Sequence, residues 1–536
     1  MKNNTSYIKR TPYWSIHDMC DPKTSITWSL HVLEISINGS LLANLMIDAG
    51  MYNGSWEVIA QNNNLSIEPS SIKSTILTHN HADHNGRIPT IVGQWYDGNI
   101  FLTENSRYAF PDIMEDSFFV QMKEIEKRKN LRANFWGKLQ QAFASKDKTS
   151  QQYKLLEQYP IQQNSDIKAI LDDKFWLLEP LFSQEDLDKT YSQLVSHPYH
   201  RDSNTNKFPV FQNSDLVHAR FLDAWHIFWS SMILLEIHKK NSKKIFNVLR
   251  WWDLWRFWNR MYWNSPSMWN IKKPLDMIFL ESTYWGRNHP DITEELNKKY
   301  DTINQVHKRW WVVLQNLFTQ DRFQLDILYD LDAIENWILA NNTMIIADST
   351  LAKKLAITMS IHDPIYKKII RHPNVKWVEK EQTEAILLNK PTNHIFKMSW
   401  WMMQGWTVMK LIKYFDKNHK DVKIEHKDIA HKGMVILTWY TPEYTLWWKI
   451  KNDTNSYNSA SFNFSSHIDH NGIIDFVTNK NWESWVQLRD DAKICLMHGE
   501  IWNMFKIKEN LVQEWFNEKN IIIPVSNWNS FTFPIK

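Results

Sequence analysis

The sequence predicts a layered α/β protein in which one domain is interrupted by another. Three observations predict it. Residues 26–48 alternate into apolar strands, ITWSLHVLEISI and then the start of LLANLMIDAG, as a sheet with short loops requires. From about 285 to 445 helix-like and strand-like segments take turns. Residues 446–536 then return to short strands, KICLMHG and NIIIPVS. The expected division is a first domain in two parts, 1–284 and 446–536, with a second domain at 285–445 inserted between them. A chain of 536 residues is too long for one ordinary core, which agrees with that division.

Taken in order, Ile76-Leu77-Thr78 ends a short strand directly before His79. Residues 104–195 are rich in Lys, Glu, Gln and Leu with few turn signals, and predict a mostly helical insertion. LVHARFLDAWHIFWSSMILLEI returns to a strand pattern, and MIFLES (277–282) reads as a buried strand. In the second domain RFQLDILYDLDAIENWILANN and STLAKKLAITMS read as helices, with MIIAD and MVIL (434–437) as strands. The Asn-rich stretch 451–463 reads as a loop, and no internal repeat is visible.

Composition excludes several classes. Apolar residues make up 43% and charged residues 23%, as in a soluble globular protein. The net charge of +3 permits nucleic-acid binding without arguing for it. Cys20 and Cys495 are far apart, so neither a disulfide framework nor a thiolate metal site is expected. The N-terminal residues lack an apolar h-region, and no run of 18 apolar residues occurs. A cytoplasmic location without membrane contact is therefore the expectation.

One count is abnormal. The chain has 30 Trp and only 12 Gly, where ordinary usage is about 7% Gly, or roughly 38 residues. WW doublets fall at 251–252, 310–311, 400–401 and 447–448, near polar or turn residues. Glycine belongs in such turns because it tolerates positive φ. The expectation is that many of these Trp stand where the native protein has Gly, through UGA codons that specify Gly.

The sharpest chemical signal is Thr78-His79-Asn80-His81-Ala82-Asp83-His84, directly after a strand. Imidazole and carboxylate oxygen are the ligands zinc prefers outside thiolate sites. Alternate residues on an extended segment project to one side, so His79 and His81 can bind one ion. A turn after them lets Asp83 and His84 face a second.

The run T-H-N-H-A-D-H-N-G-R-I-P closely resembles the signature motif of metallo-β-lactamase-fold hydrolases, in the form typical of the β-CASP nucleases. Other motifs follow in order. Asp48 in LMIDAG resembles the first-motif aspartate, which supports the metal-binding loop from behind. His226 in LDAWHIFWSS resembles the third motif, if Trp225 and Trp229 are Gly. Asp253 in WWDLWR resembles the fourth, if Trp252 and Trp255 are Gly. Glu281 in LESTYWGRNHP, His467 in SSHID and His498 in CLMHGE resemble three motifs of the β-CASP branch. A histidine at the last position is the form associated with RNA-processing members. The likeness covers roughly residues 24–100 and 215–505, and its departures are nearly all Trp for Gly.

The resemblance implies an αββα metallo-β-lactamase sandwich with an inserted β-CASP α/β domain. It implies two zinc ions, one on His79, His81, His226 and Asp253, the other on Asp83, His84, His498 and a bridging Asp253. Asp83 is then expected to orient water and take its proton, His467 to act as general acid, and Glu281 to hydrogen-bond a ligand histidine. Arg322, Ser349 and Ser399 are expected to contact phosphate, the last within SWWMMQGWT (399–407). The implied activity is zinc-dependent hydrolysis of single-stranded RNA, endonucleolytic or from the 5′ end. A DNA nuclease, a hydrolase of a small ester or thioester, and a non-catalytic RNA-binding scaffold are the alternatives. The oligomeric state stays open, with a homodimer as one option.

Overall fold

Apolar residues at consecutive positions give the central strands two buried faces. In the strand Leu275–Glu281, Met277 and Phe279 enter one core while Ile278 and Leu280 enter another. The computed structural model describes residues 7–12, 29–38, 40–51, 61–63, 67–144, 179–198, 206–224, 226–227, 229–239, 242–250, 253, 274–284, 286–309, 311–389, 391–399, 406–438, 441, 445–465, 467–478, 487–499, 501–523 and 531–535.

Two seven-stranded sheets form the first domain. The first runs, in spatial order, Phe531–Pro534, Tyr7–Pro12, Leu30–Ile37, Ser40–Ala49, Ile72–Ile76, Asn99–Thr103, Leu194–His197. The second runs Ile521–Ile522, Leu488–Met497, Leu275–Glu281, Ile245–Arg250, Ser231–His238, Ser214–Asp223, Phe208–Phe211. Leu33, Ile35, Leu45 and Ile47 of the first meet Phe221, Ile233, Leu235 and Phe279 of the second in one core. The opposite face of the first sheet packs Leu30, Val32 and Met46 with Ile88 and Ile91, and with Phe110 of the helix Glu104–Ala144. The opposite face of the second packs Leu234, Ile278 and Leu496 against helices His470–Thr478 and Ile501–Gln513. The layers are therefore α, β, β, α, the metallo-β-lactamase sandwich.

A third sheet of six parallel strands forms the inserted domain, in the order Val375–Trp377, Met344–Asp348, His394–Ser399, Val313–Leu317, Met434–Leu437, Ser459–Ser461. The chain leaves the second sheet after Leu275–Glu281 and returns on Leu488–Met497, which pairs in parallel with it. One expectation needs correction. The stretch 451–463 carries the edge strand Ser459–Ser461, so the third sheet extends past residue 445. Ser-Ala-Ser has no apolar alternation, and its strand exists because Met434–Leu437 offers an open edge. The described part of the insertion at 104–195 is mostly helical, as expected, and the strand Leu194–His197 at its end joins the first sheet beside Asn99–Thr103. Its described helices are Glu104–Ala144 and Gln184–Gln193, the latter started by a Ser183–Asp186 capping box. Among the described residues no helix is long and apolar enough to cross a membrane.

Inside the inserted domain two ammonium and two carboxylate groups meet with almost no solvent contact. Lys299 Nζ donates to Asp326 and Asp330 at 2.8 Å each, and Lys397 Nζ donates to Asp326 and to Gln315 and forms an ion pair with Asp330. Charges buried this deeply persist only when paired.

Backbone conformation singles out four tryptophans. Among the described residues, Trp95, Trp229, Trp337 and Trp515 have φ of 77°, 77°, 61° and 73°, a region that disfavours any side chain. Three of them end helices in one pattern. The N–H of Trp95, Trp337 and Trp515 donates to Val92, Ile334 and Val512, while the next N–H donates to Ile91, Ala333 and Leu511. That is the Schellman arrangement, whose left-handed position is usually Gly. The three indoles are 80%, 77% and 95% exposed, so no packing compensates for the conformation.

Candidate metal centre

The first donors sit just beyond the strand Ile72–Ile76. His81 is still extended, and Ala82–Asn85 forms a single helical turn with Asp83 and His84 on it. His79 Nε2 lies 3.0 Å from His81 Nδ1. Asp48 ends the strand Ser40–Ala49 with φ 58° and is fully buried. Its carboxylate accepts from Thr78 N at 2.8 Å and Thr78 Oγ1 at 2.9 Å, and stands 3.0 Å from His84 Nδ1. One aspartate thus fixes both the entry to the loop and one of its rings.

The remaining donors come from ends of the second sheet's strands. His226 lies between Ser214–Asp223 and Ser231–His238, and Ser231 ties that loop to the carbonyl of Thr78 through its N–H and its hydroxyl. Asp253 follows Ile245–Arg250, and His498 follows Leu488–Met497 with φ 50°. His79, His81, His226 and Asp253 offer donor atoms within 4.8 Å of one another, as do Asp83, His84 and His498. Asp253 faces both groups. Its Oδ2 is 3.7, 3.4 and 3.3 Å from Nε2 of His79, His226 and His84, and its Oδ1 is 3.2 Å from His498 Nδ1.

Electrostatics matches metal ligation. Burial holds His79, His81 and His226 well below the ordinary histidine value, so these rings are neutral, the form that donates a lone pair. Burial opposes the charged form of Asp253, but His498, His226 and His467 outweigh it and keep the carboxylate ionised. Burial also raises Asp83. Burial disfavours the charged ring of His84, but Asp83 and Asp253 outweigh it and hold that ring well above its usual value. Imidazoles and carboxylates converging in a dry pocket are the donor chemistry of a divalent metal site.

Residues 39–137 match the family model of the metallo-beta-lactamase superfamily. That stretch is a metallo-beta-lactamase domain. It holds Asp48 and the four donors from His79 to His84. A curated ribonuclease of Thermus thermophilus is 30% identical over 77 residues, which is 14% of this chain and 17% of that protein. The match therefore spans less than a fifth of the relative's length. The match and the converging donors suggest a metal-dependent hydrolase.

The other residues singled out in the sequence occupy distinct places. His467 Nδ1 is 2.9 Å from Glu281 Oε2 and 3.8 Å from Asp253 Oδ1. The contact of Glu281 with His467 joins two residues that the sequence reading had given separate roles. Glu281 is the last residue of its strand, and His467 reaches it from the segment that returns after the third sheet. Burial works against the charged His467 ring, but Glu281 and Asp253 outweigh it and raise the ring above its ordinary value. Arg322 is buried, and both of its Nη atoms lie 3.1 Å from the carbonyl oxygen of His226. Ser349 caps the helix Thr350–His362 by accepting from Ala352 N, and its hydroxyl bonds that of Ser399; both are buried. The motif positions Trp225, Trp252, Trp255, Trp400 and Trp401 lie outside the described residues.

Three residues escaped the sequence reading. Thr78 links Asp48 to His79, its hydroxyl 3.0 Å from His79 Nδ1. Thr283 bonds His498 at both Nδ1 and the carbonyl, each at 2.9 Å. His289 Nε2 meets the carbonyl of His467 at 2.9 Å. Each lies within eight residues of a motif residue, but nothing in the sequence gives it a partner.

Proposed function

We propose that the chain is a zinc-dependent ribonuclease of the β-CASP type, cutting single-stranded RNA at a centre of two ions. The observation that carries this reading is the Glu281–His467 pair beside Asp253. The leaving oxygen of an RNA phosphodiester needs a proton, and a histidine held by a carboxylate beside the donor cluster can supply it. The inserted domain and the histidine at 498 point the same way through the resemblance, and the ribonuclease of Thermus thermophilus supports it.

His79, His81, His226 and Asp253 would hold one zinc, and Asp83, His84, His498 and the shared Asp253 the other. The two ions would supply an acidified water near neutral pH and positive charge beside a phosphate. Asp83, raised by burial, orients that water and accepts its proton. Asp48 and Thr78 keep His79 and His84 in place while this happens. His467 donates a proton to the leaving oxygen, with Glu281 fixing its tautomer and direction. Ser349 and Ser399 stand at the carboxyl ends of neighbouring parallel strands, where such sheets bind ligands, and we assign them to phosphate.

We also infer that Trp95, Trp229, Trp337 and Trp515 are glycine in the native protein, as are the Trp at motif positions. The left-handed φ and the three Schellman ends support it. At 400 and 401 glycine would let backbone N–H groups approach phosphate, where indoles would block them.

The test uses protein made with its native codon meaning and loaded with zinc. Internally labelled single-stranded RNA and matching DNA are incubated with it, beside an Asp253→Ala control. RNA cut, DNA spared and an inert control are the expected results. DNA cut equally would overturn the RNA assignment, and neither polymer cut by a zinc-replete protein would move the reading to a small-molecule hydrolase.

A further inference from the structure

We propose that Arg322 is a positioning residue for the metal ligand His226, and that through it the inserted domain sets the geometry of the centre. The proposal rests on the metal centre proposed above but not on RNA as substrate. Arg322 begins the helix Arg322–Glu335 of the inserted domain, whereas His226 belongs to the sandwich. The guanidinium points both Nη atoms at one backbone oxygen, that of His226, at 3.1 Å each. Its charge is met by Asp321 Oδ2 at 2.8 Å. Asp321 is itself fully buried with φ 66°, a conformation that persists only where its surroundings over-determine it. The fork is therefore a built contact, held from behind by a strained partner.

The loop it grips is a ligand loop. Within it Ala224 N donates to Ser230 O, Ser230 N to Ile227 O, and Ile227 N to Ser230 Oγ. Ser231 anchors one end to Thr78, next to His79. Arg322 anchors the apex from the other domain. The carbonyl of His226 cannot shift without carrying its imidazole, because backbone and ring share one short side chain. Groups that orient a ligand from outside set metal affinity nearly as strongly as the ligand. An Arg offered to phosphate would instead present its donors to the cleft, and this one is only 4% exposed.

The experiment compares wild type, Arg322→Lys and Asp321→Asn. Lysine keeps the charge and most of the bulk but replaces the two-armed fork with a single point. Bound zinc per chain and its affinity are read by chelator competition, and cobalt-substituted protein reports ligand geometry through its visible spectrum. Arg322→Lys should weaken the more weakly held ion roughly 10-fold or more and shift the cobalt bands. With RNA, kcat should fall while KM stays within about 2-fold, since the loss is not in substrate binding. A raised KM with unchanged zinc affinity and unchanged cobalt spectrum would overturn the proposal and make Arg322 a phosphate contact. Asp321→Asn, which leaves the fork on His226 but loosens its support, should give a smaller effect of the same kind. If wild type binds zinc but cuts no RNA, the ribonuclease reading fails while the metal readouts still decide this one. If wild type binds no divalent ion, the centre and the inference fall together.

Discussion

Replacing Trp95, Trp337 and Trp515 by glycine should stabilise the protein, a rare direction for tryptophan substitutions. The magnitude follows from the structure. Each residue holds a left-handed φ, between 61° and 77°, at a cost of about 1–2 kcal/mol for a residue bearing Cβ. Glycine removes that cost but returns about 0.4–1 kcal/mol through the freer unfolded chain. The indoles are at least 77% exposed, so little burial is lost. The net gain is about 0.5–1 kcal/mol per site, and the sites lie on three separate helices, so the gains should add. Differential scanning calorimetry of each single variant and of the triple checks this. The transition should rise by roughly 1–3 °C per site. Trp377→Gly is the contrast, since its indole donates to Ile369 O and stacks on Phe323; it should lose about 3 kcal/mol. Falls at all three helix ends, comparable to that of Trp377→Gly, would refute the reasoning. UGG codons at these positions would end the glycine reading outright, and peptide masses from the native source would settle each site.

Other outcomes follow from the same geometry. His467→Ala should cut turnover by about 10²–10⁴-fold and leave zinc near two per chain; loss of zinc would make His467 a ligand instead of an acid. In Glu281→Gln the His467 ring loses the partner that keeps it charged. Its raised value means activity falls as pH rises through that value, so the falling limb of the pH–rate profile should move to lower pH; an unmoved limb would assign the acid elsewhere. The stability that this ring adds is present below the unfolded histidine value of about 6.5 and is lost as pH rises through the folded one. The variant should show less of that loss. Lys299→Met should cost about 3–5 kcal/mol in urea unfolding, because it strands buried carboxylate charge on Asp326 and Asp330; a loss under about 1 kcal/mol would show those groups are neutral.

Much of the centre was legible because its chemistry is local. His79, His81, Asp83 and His84 sit within six residues, and no fold other than a strand–turn explains so many donors there. The strands were legible where apolar runs were long, as in Leu275–Glu281 and Leu488–Met497. Ser459–Ser461 was not, because its pairing comes from a neighbour's open edge and not from its own residues. The contact of Glu281 with His467 was illegible for a related reason. A carboxylate at a strand end can reach several rings, and only the return path of the chain selects His467. Arg322 stood out in the sequence, but its contact with the carbonyl of His226 did not, since sequence cannot tell an arginine facing solvent from one facing a carbonyl. Thr78 and Thr283 were invisible because a threonine beside a ligand is common and only geometry gives it a task.

The donors of the centre run from His79 to His498, and the last arrives on a strand that must slot beside Leu275–Glu281 after the whole inserted domain. During translation, one donor group is complete once Asp253 has emerged from the ribosome. The other waits until the strand Leu488–Met497 has followed the inserted domain. On the proposed function, a growing chain carries no finished cutting edge before that strand is made.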